Sequence, residues 1–208
     1  MVSKIKKFFF ITFIFFLFFL SAEIIIRIIK NPSPFKFDKI LGWKVKENYN
    51  QTFNEKDKAG NDYIVNYTTN QKGLRTYGNN ENNSKKILVI GDSHTMGKYT
   101  GNNEMWFSVL AEQLKKKFNE NYFVYAGGAN GYGSLQEYLL AKDIADYINP
   151  DIFILQFCEN DYTENHLDWD EQISGRNTYL RRPYYSIQEK TKYNDSIFSI
   201  FYRYKIFF

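Results

Sequence analysis

The feature that most constrains the fold is an alternation of short apolar runs and amphipathic stretches in the middle of the chain. The apolar runs lie at residues 87–90, 123–125 and 152–157. Two stretches between them, residues 104–118 and 134–147, carry apolar side chains at helical spacing. Strands buried on both faces are continuous apolar runs, and a strand–helix–strand–helix–strand order favours parallel pairing. The pattern therefore predicts a parallel sheet with helices on both faces, in three layers.

The same spacing predicts which side chains face the core. The helix over residues 134–147 is expected to bury the apolar positions Leu135, Tyr138, Leu139, Ile144 and Tyr147. The run at residues 152–157 is expected to be a third buried strand.

A second strong feature is a long apolar run near the N-terminus. Residues 8–22 contain no charged side chain, and a short basic segment precedes them. A bilayer span needs roughly 20 residues, so a spanning helix would also include Glu23 and Arg27, which can pair on one helix face. We expect residues 1–30 to be a transmembrane anchor, with a cleaved signal peptide as the alternative. In both cases the rest of the chain is predicted to lie outside the cytoplasm, on the periplasmic or cell-surface side.

Composition and charge exclude some classes of protein. The formal net charge of +4 is mild and lysines are mixed with acidic residues, which argues against a nucleic-acid partner. The single cysteine, Cys158, cannot form an internal disulfide. The length of 208 residues suits one domain behind an N-terminal appendage. We assign residues 31–84 to a short pre-domain of strands and loops, and residues 85–208 to the α/β domain.

Three loops leave the predicted carboxyl ends of the strands, where functional groups collect in a parallel sheet. In chain order they hold Gly91-Asp92-Ser93, Asn130-Gly131 and Glu159-Asn160-Asp161. A serine at a strand-to-helix turn can project its hydroxyl into a cleft, and a glycine lets a backbone N–H approach a ligand. The N–H groups of Ser93 and Gly131 and the side-chain amide of Asn160 together look like an oxyanion hole. Asp92 is expected to stabilise the turn, and Asp161 to cap its loop.

The same loops resemble a known family. The segments "VIGDSHTMG", "YAGGANGYGSLQE" and "ILQFCEND" resemble, in order, three sequence blocks of the SGNH (GDSL) hydrolases, a family of ester hydrolases. "LGWKVKENYN", "NQKGLRTYG" and "RRPYY" are similar to flanking segments of its membrane-anchored bacterial members. The resemblance implies Ser93 as the nucleophile, with Gly131 and Asn160 as oxyanion donors. It also implies a flavodoxin-like three-layer α/β/α sandwich with a central parallel sheet.

The resemblance further implies an acyl-ester substrate, carried on a lipid or a glycan, and we expect neither a metal ion nor a cofactor. This sequence departs from the family at two points. Cys158 stands where glycine is usual, and the C-terminal Asp-x-x-His block, which holds the general base, is missing. His94 is expected to point away from the Ser93 hydroxyl, and His166 comes too early in the chain. We therefore expect a truncated member or a gene fragment, whose base would come from elsewhere.

Other functions stay open. The chain could be a catalytically inactive, anchored domain that binds an acylated ligand, or could transfer an acyl group to a cell-surface glycan. The glycine-rich loop could cradle a phosphate, but it lacks the phosphate-binding motifs Gly-Lys-Ser/Thr and Gly-x-Gly-x-x-Gly. The motif Gly-x-Ser-x-Gly is also absent, which argues against the nucleophile elbow of an α/β-hydrolase. Arg181 and Arg182 are expected on a solvated surface, with contact to a glycan as the alternative. Residues 197–208 are expected to form a core-facing helix.

Overall fold

The computed structural model describes residues 2–29, 33–169, 182–186 and 190–193. The chain divides into two compact units, Met1–Pro34 and Phe35–Phe208. The side chain of Arg27, predicted to pair with Glu23, lies outside the described residues. Arg181 and the helix predicted for residues 197–208 lie outside them as well.

In its described residues the first unit contains one long helix, α1 (Val2–Ile29). The stretch Ile5–Ile26 within it is long and apolar enough to cross a membrane, with 22 residues and a mean hydropathy of 2.6. Its large apolar side chains are exposed all around the helix, so it has no polar face for water. The predicted apolar N-terminal helix is therefore confirmed in length and composition.

Two antiparallel hairpins begin the second unit. They pair β1 (Phe35–Asp38) with β2 (Gly42–Val45), and β3 (Asn50–Lys56) with β4 (Asp62–Thr68). Trp43 and Tyr67 from these hairpins lie in the same buried cluster as Leu88 and Ile90 of the α/β part. The segment predicted as a pre-domain therefore contributes side chains to the same core as the α/β part.

The central sheet has four strands in the described part of the chain. They are β5 (Arg75–Tyr77), β6 (Lys85–Gly91), β7 (Tyr122–Gly128) and β8 (Ile152–Leu155), in the order β5-β7-β6-β8. β6 pairs in parallel with both β7 and β8, as the strand–helix alternation predicts. β5 pairs antiparallel with β7, so the sheet is mixed. The class is α/β, with parallel strands at its centre.

Helices cover both faces of β6. The second unit contains α2 (Ser93–Met96), α3 (Trp106–Phe118), α4 (Ser134–Ile148) and α5 (Glu159–Glu164). A short 3-10 helix spans Asn102–Glu104, and residues 167–169 are also helical. Ile87 and Val89 of β6 join one buried cluster with Phe107 of α3. Leu88 and Ile90 face the opposite way, into the cluster that holds residues of α4. β6 is buried on both faces, as its continuous apolar run predicts.

The buried face of α4 differs from the prediction. Tyr138 and Tyr147, expected in the core, are exposed. The buried positions are Gln136, Glu137, Leu140, Ile144 and Ile148. Tyrosine is amphipathic and is stable at a surface. Because the apolar pattern counts Tyr138 and Tyr147 as core positions, the predicted buried face of α4 is rotated from the observed one.

β8 is also less buried than predicted. Ile152 and Ile154 pack against the α3-side cluster, whereas Phe153 and Leu155 are about half exposed. β8 is the last strand in the described sheet order, and Phe153 and Leu155 belong to neither buried cluster. The expectation of a fully buried third strand is therefore wrong.

After α5, the described residues contain one further hairpin. It pairs β9 (Pro183–Ser186) antiparallel with β10 (Lys190–Tyr193) as a separate two-stranded sheet. β9 packs against α4, and Tyr184 on it is buried. This hairpin brings the residue before β9, Arg182, into the interior of the unit.

Candidate functional site

Ser93 is the first residue of α2 and follows β6 after a single intervening residue, Asp92. The Asp92 carboxylate caps the helix, because its Oδ1 accepts the backbone N–H of His94 at 2.9 Å. The Ser93 Oγ donates to Asp92 Oδ2 at 3.3 Å. The predicted role of Asp92 in the turn is confirmed. α2 is only four residues long, so few peptide dipoles add at the Ser93 N–H, and its electrostatic contribution is smaller than a long helix would supply.

The sheet brings the first two loops into direct contact. A Cβ atom on Gly128, at the end of β7, would lie 2.5 Å from the Gly91 carbonyl oxygen and 2.6 Å from that of Asp92. Gly91 is itself enclosed, since a Cβ atom there would lie 2.4 Å from Thr95 Oγ1 and 2.5 Å from Gln156 Oε1. These glycines are required for space, and Gly91 does not adopt the positive φ that a sharp glycine turn would show.

The third loop adjoins the other two. A Cβ atom on Gly133, the last residue of the glycine-rich loop at residues 127–133, would lie 3.0 Å from Glu164 Cβ in α5. The side-chain donor atoms of Asp92, His94 and Cys158 lie within 4.8 Å of one another, and Cys158 directly precedes α5. The structure thus brings together the three loops that the sequence singled out.

A cleft of about 450 Å³ opens beside Ser93. Its walls include Ser93, His94, Lys98, Tyr99, Trp106 and Asn130. Of the three predicted site residues, only Ser93 lines this cleft. Gly131 does not line it, although the preceding residue, Asn130, does. Asn160 lies outside the lining of the cleft. The cleft has room for a small acyl group beside the Ser93 hydroxyl.

The Asn160 amide bonds within its own helix. Its Nδ2 donates to Glu164 Oε2 at 3.0 Å, one turn further along α5. An amide nitrogen carries two N–H groups, so this bond orients the side chain and leaves one N–H for another acceptor. Asp161 Oδ2 accepts the backbone N–H of Cys158 at 2.7 Å, so the predicted capping role is confirmed, but the segment that Asp161 caps is the first turn of α5 and not a loop.

Gly131 adopts a positive φ of 73°, a conformation that favours glycine. Its carbonyl accepts a hydrogen bond from Arg182. The Arg182 guanidinium also lies 3.8 Å from a Glu164 oxygen and 5.4 Å from the centre of the Trp43 ring. The prediction of a solvated Arg182 is therefore wrong, because a carboxylate, a carbonyl and an indole enclose it at 6% exposure.

Four carboxyl groups are buried close to one another around these loops, on Asp92, Glu137, Asp161 and Glu164. Both Glu137 oxygens lack a hydrogen-bond partner among the described residues. Burial, together with the charges of Asp161, Asp92 and Glu164, raises the pKa of Glu137 to about 8. Burial likewise raises the pKa of Asp161 to about 6, against the effect of the Cys158 N–H. The sequence analysis did not identify Glu137. Its helical spacing from Leu140 and Ile144 places it on the same face of α4, and this spacing could have indicated that Glu137 is buried.

A second residue that the sequence analysis missed is Arg75, which is 2% exposed. Its guanidinium donates to the carbonyl oxygens of Met96, Gly97 and Thr100 at 2.6–2.8 Å, and stacks on Tyr67. Gly97 and Thr100 belong to the loop that lines the cleft. Arg75 therefore fixes the backbone of the cleft wall that follows Ser93.

The two histidines occupy different environments. His94 is exposed in the wall of the cleft, next to Ser93. His166 is exposed beyond α5, where its ring lies 5.1 Å from the ring of Trp169. Among the hydrogen bonds of the described residues, the Ser93 hydroxyl bonds to Asp92 and to neither imidazole.

No protein-family model matches this chain, and no curated protein matches it. The resemblance to the SGNH hydrolases therefore stays a prediction that rests on the three sequence blocks.

Proposed function

We propose that this chain is a serine ester hydrolase of the SGNH type, with Ser93 as its nucleophile. The observation that carries the proposal is the position of Ser93. It follows the central parallel strand, lines a cleft of about 450 Å³, and adjoins the two other loops that resemble family blocks. Ser93 Oγ attacks the acyl carbon, the ester C–O bond breaks, and the alcohol leaves with a proton. Water then hydrolyses the acyl-serine.

The oxyanion of this reaction would be held by the N–H groups of Ser93 and Gly131 and by the Asn160 amide. Two contacts support this assignment. The bond from Trp43 Nε1 to the Asn130 carbonyl, at 3.2 Å, orients the peptide that carries the Gly131 N–H, and the bond to Glu164 occupies only one N–H of Asn160. Each such donor contributes about 10²–10³ in rate when it is aimed at the developing charge.

The general base of this proposal differs from that of the SGNH family. The resemblance implies a histidine from a block that this sequence lacks. Within the described residues, the carboxylate of Asp92 is the basic group that the Ser93 hydroxyl contacts, at 3.3 Å. Among the described residues, Asp92 and the neighbouring His94 in the cleft wall are therefore the candidate bases for the chain alone.

We also infer a flavodoxin-like α/β/α sandwich and an extracytoplasmic, membrane-anchored location. Parallel pairing of β7, β6 and β8, with α3 and α4 packed on opposite faces of β6, supports the fold. The 22-residue stretch Ile5–Ile26 in α1, with Lys4, Lys6 and Lys7 at its N-terminal end, supports the anchor and its orientation. The substrate would then be an acyl ester on a lipid or a cell-surface glycan.

A second candidate is a non-catalytic anchored domain that binds an acylated ligand. It is favoured by the environment of the Ser93 hydroxyl, which contacts a carboxylate and no imidazole among the described hydrogen bonds. A serine without an activating base is a weak nucleophile, so such a domain would bind an ester without cleaving it.

Hydrolysis of p-nitrophenyl acetate by the full chain in detergent micelles tests these candidates. The variant is Ser93→Ala. Its matched control is Ser84→Ala, which alters a serine just before the amino end of β6, at the opposite end of the strand from Ser93. Activity that Ser93→Ala abolishes and Ser84→Ala retains supports the esterase.

A folded chain with no activity above background would reject the esterase and favour the non-catalytic domain. Acyl transfer is separated from hydrolysis by adding a sugar acceptor, which would yield acetylated sugar in place of acetate. Loss of activity in both serine variants would point to a folding defect, which circular dichroism of each variant detects.

A further inference from the structure

Three side chains with metal-binding atoms surround the Ser93 turn. Asp92 and His94 lie on either side of Ser93, and Cys158 comes from the loop before α5. Their donor atoms, a carboxylate oxygen, an imidazole nitrogen and the thiol sulfur, all lie within 4.8 Å of one another. These residues come from two loops separated by more than sixty positions in the chain, so the sheet topology brings them together.

The spacing of the donor atoms fits a single ion after a small movement. Three atoms no more than 4.8 Å apart are all within about 2.8 Å of a common point, whereas zinc bonds are about 2.0–2.3 Å long. Each donor must therefore move inward by at most about 0.5–0.8 Å. His94 is exposed and Cys158 partly exposed, so their side chains can rotate without disturbing the core. Asp92 keeps its bond to the His94 N–H, because each carboxylate oxygen has a second lone pair.

The charge around this cluster favours a cation. Asp92 is grouped with three other buried carboxyl groups, on Glu137, Asp161 and Glu164. The Glu137 carboxyl group has no hydrogen-bond partner among the described residues. Within the group of four, Glu164 forms an ion pair with Arg182. A divalent cation at Asp92 would favour the ionised forms of these carboxyl groups and offset the repulsion that arises as they ionise.

We propose that Asp92, His94 and Cys158 form a binding site for a divalent transition-metal ion of the zinc class, with water at the fourth position. A mixed set of thiolate, imidazole and carboxylate suits zinc and excludes magnesium and calcium, which prefer oxygen ligands alone. The Cys158 thiol releases its proton to solvent as the sulfur binds the ion. The site stands on its own geometry and does not rest on the proposed esterase.

Cobalt(II) titration of the full, untagged chain in detergent micelles tests the site. A polyhistidine tag is omitted because it would bind the ion. Cobalt bound by a thiolate gives an intense ultraviolet charge-transfer band, and tetrahedral cobalt gives visible bands, so the spectrum reports both ligand type and geometry. The variants are Cys158→Ser and His94→Gln, and His166→Gln is the matched control because His166 is the other histidine and lies outside the cluster.

We expect one cobalt ion per chain, displaced by zinc. His94→Gln should weaken binding by at least about tenfold, since removing a ligand costs more than the 10–100-fold loss typical of its supporting partners. Cys158→Ser should abolish the charge-transfer band, and His166→Gln should bind as the parent chain does. A spectrum without the thiolate band, or equal binding by His94→Gln and the parent chain, would overturn the proposal. Because the readout is spectroscopic, it is independent of ester hydrolysis.

Discussion

A Cβ atom on Gly128 would lie 2.5 Å from the carbonyl oxygen of Gly91, on the neighbouring strand. That oxygen belongs to backbone, so it cannot move aside as a flexible side chain would. Gly128→Ala should therefore separate the ends of β6 and β7 and lower the free energy of unfolding by about 1–3 kcal/mol.

Gly101→Ala is the matched control, since its Cβ atom would meet its nearest neighbour at an ordinary 3.4 Å and Gly101 has a negative φ of −62°. Urea denaturation, followed by circular dichroism, measures both variants. Equal stability of the two would show that the sheet accommodates a methyl group at Gly128.

Arg75→Lys should destabilise the second unit although it keeps the charge. Arg75 donates to three backbone carbonyls, of Met96, Gly97 and Thr100, and one ammonium cannot reproduce that planar fork. Leaving buried acceptors without donors should cost about 2–4 kcal/mol in the free energy of unfolding. Denaturation of Arg75→Lys beside the exposed control Lys116→Ala measures this loss. A change in Arg75→Lys no larger than that of the control would contradict the role assigned to Arg75.

The protein should lose stability as the pH rises from about 4.5 to about 8. The folded-state pKa of Glu137 is raised from 4.5 to about 8, so in this window the folded chain holds a proton that the unfolded chain has released. The stabilisation is complete below the unfolded pKa and decreases by up to about 1.4 kcal/mol per pH unit until the folded pKa is passed. Asp161, whose pKa is raised to about 6, acts in the same direction.

Glu137→Gln should reduce this pH dependence and increase stability near pH 8, because the amide has no proton to lose. Asp146→Asn, an exposed position on the same helix, is the control. Thermal unfolding at several pH values compares the two. An unchanged slope in Glu137→Gln would assign the pH dependence to other groups.

Arg182 and Glu164 should show strong energetic coupling. Their side chains are 7% and 1% exposed and 3.8 Å apart, so truncating Arg182 to alanine leaves a buried carboxylate without this cation. Arg182→Ala alone should cost about 3–5 kcal/mol. The additional change Glu164→Gln removes the buried charge and should restore about 1–3 kcal/mol. A double-mutant cycle in urea measures the coupling, and strictly additive effects would show that the two groups act separately.

Local patterns determined much of this protein. Continuous apolar runs predicted β6, and the long apolar segment predicted α1. The roles of Asp92 and Asp161 also followed from the sequence, because each bonds to a backbone N–H only two or three residues away. Interactions over such short distances depend on few degrees of freedom, so the residue types alone indicate them.

The tertiary structure alone decided which polar groups are buried and how the site is supported. Arg182 bonds to Gly131 across 51 positions and Arg75 to Met96 across 21, and neither pairing is visible in a local pattern. A buried charge is stable only where partners from distant segments meet it, so its burial cannot be judged from its neighbours in sequence. The same holds for Glu137, whose place in the interior depends on which face of α4 packs against the sheet.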